Sequence, residues 1–170
     1  KDGAELKTTG SGVINFHNGK YLSVEGNAEI SGTPSQKLQI NFYAPTSNGI
    51  FVSQGTLLTV NNTKILNAYN GIKYQTDGES QTTGSLEVTN SEFINCNIGI
   101  KLENISGFTP YISNNLFTDC GIGIFGLNIG EVSLYFNNIT AGIGIWLTNT
   151  TGANVYSNSI QPTTINNGAG

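Results

Sequence analysis

The chain predicts an all-β fold, a single-stranded parallel β-helix with three short strands per coil. Two observations predict it. The first is an internal repeat. Residues 86–102 lie over residues 110–126 without a gap, so that Phe93 meets Phe117, Cys96 meets Cys120 and Ile98-Gly99-Ile100 meets Ile122-Gly123-Ile124. An earlier copy at 58–74 places Val60 on Val88, Asn62 on Asn90, Ile65 on Phe93 and Gly71-Ile72-Lys73 on Gly99-Ile100-Lys101. A later copy at 132–147 carries one deletion and ends Ile143-Gly144-Ile145. The Gly-Ile pairs at 71, 99, 123 and 144 are 28, 24 and 21 residues apart. A period in the twenties with no helical segment means a solenoid. The second observation is the content of each unit: three apolar runs parted by Asn, Gly, Ser or Thr, as at 86–88, 93–94 and 98–102. Three strands stacked on three strands give coils about 4.8 Å apart, with like side chains on like inside. The spacing and helical return of leucine-rich repeats are missing.

Taken in order, residues 10–16 and 20–24 read as strands, followed by 28–31 and 37–42. Gly32-Thr33-Pro34 and residues 44–49 read as turns. Residues 50–52 resemble the later Gly-Ile strands, so the coils begin before residue 40. The first coils are placed at 10–52, regular coils at 57–160 and an irregular tail at 161–170, all in one domain. Residues 77–84 and 104–109 read as insertions after the Gly-Ile strand, gathering loops on one edge of one face. Asn62, Asn90 and Asn114 suit corners, because Asn tolerates the left-handed conformation. Asp119 aligns with Asn67 and Asn95 and is expected to fill a turn in the same way. Neither end shows a capping helix, so the ends are expected to meet flanking coils of a longer chain or other copies of the same unit.

The units Asn-Ser-x-Phe-x-Asn-Cys-x-x-Gly-Ile-x-Leu (90–102) and Asn-x-Phe-x-Asp-Cys-x-x-Gly-Ile-x (115–125) resemble the right-handed parallel β-helix repeats of the pectate-lyase-like superfamily. The opening, 22–34, 38–42 and 49–52, resembles the first coils of large secreted bacterial β-helix proteins. The resemblance implies a right-handed coil and an extracellular or cell-surface location. It leaves function open, because such repeats serve lyases, hydrolases, tailspikes and adhesins alike.

Composition narrows the classes. Charged residues are 11% of the chain, arginine is absent and the net charge is -4. Nucleic acid is excluded as a partner, since it needs a basic stripe. No apolar run reaches the length of a membrane span. Cys96 and Cys120 share one inward column with Ala68 and Ala141, which asks for a small residue. Two readings stand: buried free thiols, or a disulfide between stacked rungs. Two thiols without further ligands do not complete a tetrahedral metal site, and no metal or cofactor is expected.

Strand alternation sends Ile72, Ile100, Ile124 and Ile145 inward. It sends Lys73, Lys101, Phe125 and Trp146 outward in one column, with Glu103 beside them. Glycines 71, 99, 123 and 144 are expected outward too, flooring a shallow trough. Aromatic faces suit sugar rings and lysines suit uronate carboxylates, so the column is a candidate polysaccharide site. Exposed strand positions also take Lys and aromatics for structural reasons alone. Lys101 and Glu103 are the only pair here to be weighed for catalysis. A lyase resembling pectate lyases would need calcium-binding carboxylates, and a glycoside hydrolase a carboxylate pair at defined separation. Neither is evident, and His17 has no triad partners, so the enzyme question leans to no. The expected function is a structural or adhesive extracellular module that binds polysaccharide. The alternatives are a fragment of a lyase or hydrolase, and a self-stacking filament subunit. An ice-binding solenoid is set aside because the threonines do not form a ladder.

Overall fold

A computed structural model describes residues 6–17, 19–43, 46–77 and 83–163. The inserted loop at 77–84 and the tail at 161–170 lie mostly outside the described residues. Strands β1 (Leu6–Thr9), β2 (Val13–Phe16) and β3 (Leu22–Val24) form the first coil. The second is β4 (Ala28–Ser31), β5 (Leu38–Phe42) and β6 (Ile50–Val52). The third is β7 (Leu57–Asn61), β8 (Thr63–Leu66) and β9 (Asn70–Gln75), and the fourth β10 (Ser85–Thr89), β11 (Glu92–Ile94) and β12 (Ile98–Ile105). Then β13 (Tyr111–Ser113), β14 (Leu116–Tyr135), β15 (Asn138–Tyr156) and β16 (Ser159–Pro162) wind the remaining coils.

First strands pair only with first strands, in the series β1-β4-β7-β10-β13-β14. Second and third strands form their own series, and each pairing is parallel. This is the predicted parallel β-helix, and the predicted matches are its hydrogen-bonded register: Phe93↔Phe117, Ile100↔Ile124 and Val60↔Val88. The coils reach back to β1, earlier than the expected start at 10.

The core is a set of columns. One runs Ile30, Val60, Val88, Ile112, Leu134, all buried. A second runs Ile40, Ile65, Phe93, Phe117, Ile139, with the two rings stacked at 4.8 Å and 8°. A third runs Ile50, Ile72, Ile100, Ile124. Matching shapes one rung apart favour close packing. Ile145, expected inside, is only partly buried, because the third face has no further described strand to cover it.

Corners are made by single left-handed residues. Asn62, Asn90 and Asn114 have φ of 47°, 50° and 55°, and Asn67, Asn95 and Asp119 have 60°, 54° and 55°. A third corner holds Asn104, Asn128 and Asn149 at 56°, 55° and 52°. The deletion in the later copy removes one such residue: Thr118 pairs with Thr140 and Cys120 with Ala141, leaving Asp119 unmatched. Where insertions vanish, the chain turns these corners while staying paired. That is why β14 and β15 run for 20 and 19 residues where three short strands per coil were expected.

Inside the first corner lies an asparagine ladder. Asn137 Oδ1 accepts from Asn115 Nδ2 and from the Asn115 main-chain N–H, both at 3.1 Å. Asn158 Oδ1 takes the same two bonds from Asn137 at 2.9 Å. Each Nδ2 also donates to a carbonyl: Val88, Ile112 or Leu134. These inward amides are tolerated because each is hydrogen-bonded along the ladder.

The glycine expectation is corrected. A Cβ on Gly99 would stand 2.5 Å from the Phe117 ring, and one on Gly144 would stand 2.4 Å from Ile160. Gly71 and Gly123 face Phe93 and Ile139 in the same way. The glycines point inward, making room for the second-face column, so no glycine floor opens to solvent.

Two outcomes test this packing. Ile124→Asp should unfold several coils, since a buried unpaired carboxylate is severely costly; a cooperatively folded, soluble variant would refute the register. Asn137→Ala should cost about 1–3 kcal/mol for the orphaned Asn115 donor, and Asn114→Gly should cost little because Gly adopts the left-handed conformation freely. Equal losses in urea denaturation would contradict the distinct roles.

Candidate functional site

The third face carries one outward column: Ser23, Phe51, Lys73, Lys101, Phe125 and Trp146. Parallel register puts these positions about 4.8 Å apart. The structure therefore brings together Lys73, Lys101, Phe125 and Trp146. Phe51 extends the row on the amino-terminal side, and sequence reading missed it although residues 50–52 were matched to the later Gly-Ile strands.

The next outward column holds Gln75, Glu103, Leu127 and Thr148. Glu103 Oε1 lies 2.9 Å from Lys101 Nζ, and its Oε2 lies 3.4 Å from Lys73 Nζ. Lys73 sits 5.9 Å from the Phe51 ring centre and Lys101 sits 5.7 Å from that of Phe125, both at cation–π range. Phe125 meets Trp146 edge to face at 5.5 Å. The column is one connected ladder whose carboxyl-terminal rung is open: Trp146 is 47% exposed.

Burial pushes the Glu103 carboxyl up, but the Lys101 hydrogen bond and the charges of Lys101 and Lys73 outweigh it and hold it below its ordinary value. A general acid needs the opposite shift. Glu92, bridged to Lys37 and Lys64 at 2.9 and 3.0 Å on the second face, is lowered for the same reasons. The geometry of Lys101 and Glu103 thus suits a fixed charged platform better than proton transfer. His17 stacks on Tyr43 at 4.6 Å.

A concavity lies elsewhere, at the second corner. It has a volume of about 480 Å³ and is bounded by Tyr43, Asn67, Asn95, Asn97, Asp119 and the Cys96 side. Asn95 Nδ2 donates to Asn67 Oδ1 at 2.8 Å along its rim. Sequence reading placed Asn67, Asn95 and Asp119 in a turn, correctly, but a cleft depends on how Phe42 and Tyr43 pack above them, which no repeat alignment reveals. Cys96 and Cys120 are free and buried.

The Glu103 carboxylate contributes stability that is present above its unfolded pKa and lost as pH falls through its lower folded value. Glu103→Gln should therefore be less stable than the parent at neutral pH, with the gap narrowing below pH 4.5, the ordinary glutamate value. Thermal melts across pH check this, and a gap independent of pH would contradict the ion-pair assignment.

A family model described as "Periplasmic copper-binding protein (NosD)" matches residues 5–169. Neither a curated protein nor a solved structure matches. The periplasmic description agrees, at a coarse level, with the expected location outside the cytoplasm. Copper in its divalent state favours imidazole and oxygen ligands in a square array. The single histidine, His17, and the scattered carboxylates do not converge, and no cluster of three His, Cys, Asp or Glu occurs among the described residues. Thiolates suit the monovalent ion instead, and the chain's two cysteines occupy one column. With the repeat, the parallel coils and a match over nearly its whole length, the chain belongs to the NosD family of periplasmic β-helix repeat proteins.

Proposed function

We propose that this β-helix is a binding module that holds an extended polysaccharide along the outward column of its third face. The observation that carries the reading is the exposed Trp146 beside Phe125, continuous with Lys101, Glu103 and Lys73. An aromatic face offers a sugar ring apolar area at low entropic cost, while its neighbours supply polar contacts. The column runs along the coil axis, so successive rungs would meet successive rings of a chain lying parallel to it. Glu103 occupies both ammonium groups, which favours hydroxyl-rich sugars at the aromatic end and leaves one net positive charge for a uronate at the other.

Retention on a panel of neutral and uronic-acid polysaccharides tests the reading. Trp146→Ala should weaken binding by about 1–3 kcal/mol, the scale of a lost aromatic stacking platform, with little change in melting temperature. Unchanged retention would overturn it. Release of unsaturated sugar would instead favour the lyase alternative.

A second reading has its own observation. Val155 and Ile160 are 49% and 46% exposed, although Leu134 and Ile139, one rung earlier in their columns, are fully buried. Residues 132–170 contain no Asp, Glu, Lys, Arg or His. Unpaired strand edges without charge template further strands. We propose that this edge receives another β-helix layer, from a second copy or flanking coils. Sedimentation over a concentration series should show mass growing with concentration, and Ile160→Lys should abolish the growth. A strictly monomeric parent at all concentrations would rule out stacking of copies.

A further inference from the structure

We propose that the cleft at the second corner is a separate saccharide site, which takes an amino sugar with its ammonium group held between Asn95 and Asp119. The site lies apart from the third-face column and does not depend on the reading of that column.

Corner amides in this chain follow a donor rule. At the third corner Asn128 Nδ2 donates to Asn104 Oδ1 at 2.8 Å, and Asn149 Nδ2 donates to Asn128 Oδ1 at 3.0 Å. Each rung thus satisfies the oxygen of the rung before it. The second corner begins in the same way, with Asn95 Nδ2 on Asn67 Oδ1 at 2.8 Å. It then breaks. Asp119 takes the next rung with a left-handed φ of 55°, but its side chain has no N–H to give to Asn95. A carboxylate and an amide oxygen are left one rung, about 4.8 Å, apart. The following coil does not repair the break, because Thr118 pairs with Thr140 and Cys120 with Ala141, so no corner residue stands over Asp119. No lysine repairs it either. Among the described residues the ion pairs join Lys7 to Glu29, Lys37 and Lys64 to Glu92, and Lys73 and Lys101 to Glu103.

Asn95 and Asp119 line the cleft of about 480 Å³ together with Asn67, Asn97 and Tyr43. Tyr43 is 56% exposed, yet its ring is fixed. His17 stacks on one face at 4.6 Å and 3°, and the Tyr43 hydroxyl donates to Asn15 Oδ1 at 3.2 Å. A fixed aromatic ring receives the apolar face of a sugar at low entropic cost. The broken ladder selects the substituent. Two neighbouring acceptors need a ligand that donates to both. An ammonium group brings several N–H donors and the charge opposite to Asp119, whereas a hydroxyl donates once. A uronate would meet Asp119 with like charge. Calcium takes roughly six to eight oxygens, and no cluster of three His, Cys, Asp or Glu occurs among the described residues.

Titration calorimetry of the full chain with a glucosamine oligosaccharide tests the site, beside the N-acetylated and glucose counterparts and a linear polyamine. The glucosamine form should bind about tenfold tighter than each of the others, the scale of one charge-assisted hydrogen bond. Its affinity should fall at high pH as the amine loses its proton. Asp119→Asn supplies the missing Nδ2 and completes the ladder. Its melting temperature should therefore equal or exceed the parent's while glucosamine affinity drops by about tenfold or more. Tyr43→Ala should also weaken binding, and Trp146→Ala on the third face should leave it unchanged. Equal binding of the acetylated or glucose form, or of the polyamine, would overturn the amino-sugar assignment. A parent that binds none of them, an Asp119→Asn variant that binds as tightly as the parent, or a loss confined to Trp146→Ala would overturn the cleft itself.

Discussion

Every coil must repeat the side-chain volume of the coil below it, because parallel register stacks equivalent positions only about 4.8 Å apart. The rest of the structure follows from that constraint. Phe93 demands Phe117 above it, and both demand glycine at 71 and 99, where a Cβ would strike their rings. Where aromatic gives way to isoleucine, at Ile139 and Ile160, glycine persists at 123 and 144 because the branched methyls come equally close. Polar groups obey the same rule. Asn115, Asn137 and Asn158 are tolerated inside because each amide satisfies its neighbour in the adjacent rung.

The repeat made the columns legible. Gap-free alignment of 58–74, 86–102 and 110–126 states which residues share a register, and the hydrogen bonds agree. The turn role of Asp119 followed from its alignment with two asparagines, and its φ of 55° matches theirs. The direction of the glycines was not legible. Simple alternation from Ile100 puts Gly99 outside, but a residue without a side chain can face the core beside another inward residue, and here Ile98, Gly99 and Ile100 are all buried. The length of β14 and β15 was also hidden, since strand length depends on whether a corner residue keeps both its ladder bonds.

The candidate site divides in the same way. Which residues share the third-face column could be read from the Gly-Ile-x pattern. How they interact could not, because the reach of Glu103 to two lysines one rung apart depends on rotamers. The result is a platform whose two lysines share one carboxylate and whose tryptophan is open, unlike the two free lysines that spacing suggests. The inward cysteines and the outward column are products of one register: Cys96 shares its coil with Lys101, Cys120 with Phe125, and Ala141 with Trp146.

Hydrogen exchange of the main-chain amides in dilute solution tests this register account most directly. Protection follows the free energy of local opening. It should therefore peak in the coils whose columns are fully buried, around Ile100 and Ile124, and decline through Ile145 to Val155 and Ile160. Uniform protection from the fourth coil to β16 in a monomeric sample, or free exchange at Ile100 and Ile124, would contradict it.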